Sequence, residues 1–141
     1  MFQGEYNHTI DQKGRIIIPN KLRNLLGDSF ILTRSFDGCL SIYELDNWKL
    51  LEEKLASLPM TDERARLLKR FLLGSSVLLE SDKLGRILIP QNLRKSANLT
   101  QDVIFVGVGD HIEIWAQDEY IKKNNFDDYV NIAKNMEGLG I

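Results

Sequence analysis

One segment occurs twice in this chain, and that repetition limits the folds open to its 141 residues more than any other feature. Asp11-Gln12-Lys13-Gly14-Arg15-Ile16-Ile17-Ile18-Pro19-Asn20-Lys21-Leu22-Arg23 returns as Asp82-Lys83-Leu84-Gly85-Arg86-Ile87-Leu88-Ile89-Pro90-Gln91-Asn92-Leu93-Arg94. A shared core accounts for the repeated isoleucines and leucines. It does not account for an Asp, a Gly and two arginines recurring in register. A chain of this length holds one core, or two small halves that share one, and the repeat favours the second arrangement.

Each copy reads as a hairpin followed by a short helix. Glu5 to Ile10 and Arg15 to Ile18 have strand character, and Asp11-Gln12-Lys13-Gly14 has the chemistry of a type I turn closed by a left-handed glycine. Val77 to Ser81, the turn Asp82 to Gly85 and Arg86 to Ile89 repeat the pattern. Pro19 and Pro90 end the strands and pre-set φ for a helical turn, and Gly27 stops the first helix. A second hairpin is expected in each half, Ser29 to Thr33 with Cys39 to Tyr43 and Val103 to Val106 with His111 to Trp115. From there the copies are offset by 72 rather than 71, with one residue inserted near Ser96 to Leu99.

Each half then closes with a helix capped by Asp46 or Asp118. Thr61 is expected to cap a connecting helix that runs to about Leu73. The resulting division is 1–58 for the first repeat with its helix, 59–74 for the connector, 75–125 for the second repeat with its helix, and 126–141 for a C-terminal tail. The fold class is mainly β with α.

The net charge of −2 is unpromising for a nucleic-acid binder, so its distribution decides. Residues 11–23 sum to +3 and residues 82–94 to +2, which leaves −7 for the rest. Positive charge is therefore concentrated in the repeated segment. Only one cysteine, Cys39, and two histidines, His8 and His111, are present, without metal-ligand spacing. No cofactor, metal or small-molecule substrate is expected. Neither a membrane span nor a signal-peptide pattern is evident, and a cytoplasmic location is expected.

The Asp-x-x-Gly-Arg turn, the Ile-x-Ile-Pro exit and the Leu-Arg of the following helix resemble the AbrB-type swapped-hairpin DNA-binding domain. Two such copies, each followed by helices, resemble the MraZ family of bacterial transcriptional regulators over residues 1 to about 125. The resemblance implies that the two hairpins pack pseudo-symmetrically as barrel-like repeats and that neither half is stable alone. It also implies ring-shaped homo-oligomers on the nucleoid. These would bind short direct repeats in the double-stranded promoter DNA of the cell-division and cell-wall gene cluster, the regulator's own gene included.

The candidate DNA-binding residues are Arg15 and Arg86 at the turns, Lys13 and Lys83 beside them, and Arg23 and Arg94 on the short helices. Arginine's planar fork both attracts phosphate and engages a guanine edge. Asp11 and Asp82 are expected to cap the turns and orient the arginines, while Gly14 and Gly85 let the backbone fold back. The competing reading of Arg15 and Arg86 is an ion pair with Asp11 and Asp82, and both readings can hold together. The basic run Arg64, Arg66, Lys69 and Arg70 fits the dipole of a connecting helix, and Trp48 and Trp115 fit a core. Against an enzyme stand the absence of a glycine-rich phosphate loop and of paired catalytic acids, together with a Cys39 expected to be buried and inert. An oligomeric protein- or RNA-binding scaffold is the alternative.

Overall fold

The computed structural model describes residues 1–141, which form eight strands and six helices. The first repeat contributes β1 (Phe2–Thr9), β2 (Arg15–Ile17), α1 (Asn20–Leu26), β3 (Ser29–Arg34), β4 (Leu40–Glu44) and α2 (Leu45–Ala56). A connecting helix, α3 (Glu63–Leu72), leads to β5 (Val77–Glu80), β6 (Arg86–Leu88), α4 (Gln91–Ser96), β7 (Asp102–Gly109), β8 (Ile112–Ala116) and α5 (Gln117–Lys123). A last helix, α6 (Tyr129–Lys134), lies in the tail with none of its residues buried.

The strands on either side of each Asp-to-Gly turn do not form a ladder with one another, contrary to the expectation of a simple local hairpin. β1 pairs with β7, β5 pairs with β3, and β2 pairs with β6, so each of these ladders joins one repeat to the other. The ladders β3·β4 and β7·β8 are local, and β4·β8 joins the halves at the centre. The result is a six-stranded sheet in the order β1-β7-β8-β4-β3-β5 and a separate two-stranded ribbon of β2 and β6. The order is pseudo-symmetric about the β8–β4 junction.

Alternation explains the exchange. Ile16 and Ile87 face inward from the ribbon and Ile18 and Ile89 follow them, all 2% exposed or less; they join Leu22, Leu26 and Leu93 from the short helices over Phe30, Leu32, Phe105 and Ile114 of the sheet. Burying each such aliphatic side chain is worth about 1.5–3 kcal/mol, and a three-residue strand cannot cover that surface alone. Two exchanged strands cover it from both ends. The other face of the sheet carries a smaller cluster of Cys39, Ile104, Val106, Trp115 and Tyr120.

Register corrects the alignment of the halves. Buried Phe30 and Leu32 occupy the places of Val103 and Phe105, 73 positions on, whereas Ile42 corresponds to Ile114, 72 positions on. Two residues are therefore inserted between α4 and β7 and one is lost from the β7–β8 turn. The caps also differ from expectation. Strand β4 runs directly into α2 and β8 into α5, so Glu44 and Ala116 hold the capping positions without a side-chain bond. Asp46 and Asp118 fall in the first turn, where the helix dipole favours them. Asp62, not Thr61, caps α3 by accepting from the Arg64 amide at 2.9 Å.

Candidate nucleic-acid interface

Each turn is built around its aspartate. One Asp11 carboxylate oxygen accepts from the amides of Lys13 and Arg15 at 2.9 Å, and the Gly14 amide donates to the Asp11 carbonyl at 3.0 Å. Asp82 repeats this with Leu84, Arg86 and Gly85, every bond at 2.9 Å. Gly14 at φ 90° and Gly85 at φ 80° lie in the left-handed region, which admits glycine most readily. The Asp11 carboxyl is held below the ordinary range first by the Arg15 amide and then by the Arg15 side chain, and Asp82 likewise by Arg86.

The remaining carboxylate oxygen aims the arginine. Arg15 Nε donates to Asp11 Oδ2 at 2.8 Å, and Arg86 Nε to Asp82 Oδ2 at 2.8 Å. Both Arg15 and Arg86 keep their two terminal amines free of protein partners, and their side chains are 42% and 36% exposed. The ion-pair and outward readings of these arginines therefore coexist in one geometry: the inner nitrogen is fixed and the outer fork is presented.

The ribbon register places Arg15 opposite Leu88 and Arg86 opposite Ile17. Opposed residues share a face, as do residues two apart, so Arg15, Ile17, Arg86 and Leu88 lie on one side and Ile16 and Ile87 on the core side. The two arginines are diagonal neighbours, about 7–8 Å apart at Cα. Ile17 and Leu88 are 45% and 55% exposed between them. Sequence reasoning missed these two by assigning the whole aliphatic run to the core. The period of two that buries Ile16 would have found them.

Lys13 and Lys83 are exposed on the turns, at the third position of one and the second of the other. Arg23 and Arg94 are half-buried. Each lies against the turn of the opposite repeat: a Cβ on Gly85 would overlap the Arg23 guanidinium outright, and one on Gly14 would come within 2.6 Å of Arg94 Cζ. The two glycines are buried in turns whose other three residues are exposed.

Residues outside this face have local roles. Arg64 pairs with Asp62 at 2.8 Å in the first turn of α3, ahead of the dipole position expected for a cation, whereas Lys69 and Arg70 occupy the last turn. Trp48 packs against Tyr43, and Trp115 is buried with Tyr120 and donates to Glu113 at 3.0 Å. His8 meets Phe105 edge-on, and burial lowers its pKa. His111 stacks on Tyr43 and has a partner in its sequence neighbour Asp110, at 2.7 Å. Cys39 is 2% exposed, its thiol pushed up to about 12 by burial and then by Glu113.

Comparison with known proteins matches residues 1–71 and again 72–135 to the family described as "MraZ protein, putative antitoxin-like". The chain is 49% identical to the Transcriptional regulator MraZ of Clostridium tetani over 142 aligned positions, covering 100% of both chains. It is 48% identical to the protein of the same name from Clostridium acetobutylicum and 48% identical to that from Thermoanaerobacter pseudethanolicus, again with 100% of each chain covered.

Proposed function

The chain belongs to the MraZ family, and from that premise and the geometry of the ribbon we propose that it is a sequence-specific DNA-binding transcriptional regulator rather than an enzyme. The observation that carries this reading is the outward ribbon face, where two aspartate-anchored arginines project free forks. The major groove of B-DNA admits a two-stranded β-ribbon, and a guanidinium fork engages guanine O6 and N7 in a bidentate pair. Fixing Nε on Asp11 or Asp82 before DNA arrives lowers the ordering cost of that contact.

A Cα separation of about 7–8 Å corresponds to about two base-pair steps of 3.4 Å, so one ribbon spans a short site. Ile17 and Leu88 between the arginines suit the C5-methyl of thymine. Lys13 and Lys83 supply phosphate contacts, and Arg23 and Arg94 add charge behind the turns. A site this small binds feebly alone. Ring-shaped homo-oligomers presenting several ribbons to short direct repeats gain affinity through effective concentration, and promoter DNA of the cell-division and cell-wall cluster, including the regulator's own gene, is the proposed target. On this reading the protein works in the cytoplasm, associated with the nucleoid.

The test is a footprint and anisotropy titration on the chain's own upstream region, with wild type and the Arg15→Ala/Arg86→Ala double variant. Loss of two bidentate pairs at about 1–3 kcal/mol each removes specific protection while mass and circular dichroism stay unchanged. Retained protection by the folded double variant would refute the assignment. Stronger binding to RNA than to duplex DNA of the same sequence would favour the scaffold reading instead.

A further inference from the structure

Arg23 and Arg94 repeat in register, yet the fold carries each away from its own turn and onto the other one. The route is short. Arg23 is anchored by its backbone amide to the Pro19 carbonyl at 2.9 Å, its terminal amines reach the Ile18 carbonyl and the Asn20 side chain, and its guanidinium covers Gly85. The Ile18 amide in turn donates to the Gly85 carbonyl at 3.0 Å, so the same few atoms tie the exit of the first repeat to the turn of the second. The pseudo-symmetric set holds Arg94 N to the Pro90 carbonyl at 3.0 Å, Ile89 N to the Gly14 carbonyl at 2.9 Å, and the Arg94 side chain over Gly14.

We infer that Arg23 and Arg94 are positioning residues, each bracing the DNA-reading turn of the opposite repeat: Arg23 fixes the turn that carries Arg86, and Arg94 the turn that carries Arg15. This deepens the proposed function and rests on it for its meaning, though the brace itself is a property of the free protein. Two observations favour bracing over direct phosphate contact. Both side chains are half-buried where the lysines on the turns are exposed, and Arg94 Nε is buried without any hydrogen-bond partner, which places that part of the side chain against backbone and away from a ligand. The glycines then have two duties. They adopt a positive φ, and they leave a flat peptide surface on which a planar guanidinium can lie. Lysine, a compact charge on a flexible stem, cannot reproduce that cover.

The experiment is amide hydrogen exchange on the free, full-length protein carrying Arg23→Ala, Arg23→Lys or Arg94→Ala. Arg23→Ala raises exchange about tenfold across Asp82 to Arg86 and leaves Asp11 to Arg15 unchanged; Arg94→Ala does the reverse; Arg23→Lys matches Arg23→Ala. Equal exchange in both turns, a change confined to the variant's own turn, no change, or rescue by lysine each overturns the brace. A second arm measures affinity for the upstream duplex. Arg23→Ala adds little to Arg86→Ala but retains its full effect on Arg15→Ala, because the turn it supports has already lost its reader. Equal costs on both backgrounds would make Arg23 a direct contact. Should wild type fail to bind the duplex, the DNA reading falls while the exchange data still decide the brace.

Discussion

The two turns share a backbone and differ in what they display. Asp, Gly and Arg occupy equivalent places with the same 2.8 Å ion pair, but the third position is Lys13 in the first turn and Leu84 in the second, and the charge moves to Lys83. The braces differ too. Arg23 is held by the Asn20 side chain, whereas Arg94 leaves Nε without a partner over a Gly14 surface that is less tightly covered. Asp, Gly and Arg are the same in both copies, while the two middle residues of each turn differ. Identity in the repeat therefore covers both the frame of the turn and the arginine it aims, while the middle positions give the two ends of the ribbon different charge and apolar surface.

The largest effect comes from filling the surface beneath a brace. Gly85→Ala combines a left-handed backbone cost of about 1–2 kcal/mol with displacement of Arg23, whose guanidinium occupies the place of the new methyl group. Gly14→Ala meets the same backbone cost, but its Cβ would stand 2.6 Å from Arg94 Nε and Cζ, a lesser overlap with a side chain that, unlike that of Arg23, makes no hydrogen bond. Urea unfolding of both variants should therefore place Gly85→Ala below Gly14→Ala. The reverse order would show that the crossed contacts carry no weight.

Next in size is the cost of each arginine alone. If both ends of the ribbon engage DNA, Arg15→Ala and Arg86→Ala each lose about 1–3 kcal/mol of specific binding in titrations at matched salt. A loss confined to one of them would show that only one end of the ribbon meets DNA. Competition with random-sequence duplex separates this from a general loss of phosphate attraction.

How the repeats share strands is the part the sequence did not show through local pattern. The turn chemistry, the short helices and the β3–β4 and β7–β8 hairpins follow from residues within a few positions of one another, and they are where they were expected. The exchange of β2 with β6 depends on Ile16 and Ile87 meeting across 71 positions, and nothing local distinguishes that pairing from a simple hairpin. Only the resemblance implied a swap. Ile17 and Leu88 were overlooked for a different reason: an unbroken aliphatic run has no polar residue to mark its outward positions, and only strand alternation counted from Ile16 and Ile87 picks them out. The crossing of Arg23 onto Gly85 was illegible because it is a consequence of the swap.

A smaller effect separates display from construction. Exchanging Lys13→Leu and Leu84→Lys, one at a time, should leave unfolding midpoints within experimental scatter because both side chains are exposed on the turns. The slope of log affinity against log salt, about −2 to −4 per subunit for the whole face, should fall in magnitude by about one with Lys13→Leu and rise by about one with Leu84→Lys. A change in midpoint without a change in slope would assign the third position to folding.

The smallest effect at working pH is that of the aspartates. Asp11 and Asp82 have folded pKa values below the ordinary carboxylate value, so the stabilisation they give is present above the unfolded pKa and is lost as pH falls through the folded one. Nothing should change between pH 8 and pH 5, to use about the range in which both carboxylates stay ionised. Below about pH 4 the Lys13, Arg15, Leu84 and Arg86 amides begin to lose their acceptor. Their amide shifts should move together in an acid titration, and Asp11→Asn should abolish the movement in the first turn while sparing the second. A shared response of both turns to that one substitution would mean that they are coupled through the ribbon as a single unit, and the comparison of two ends would have to give way to one.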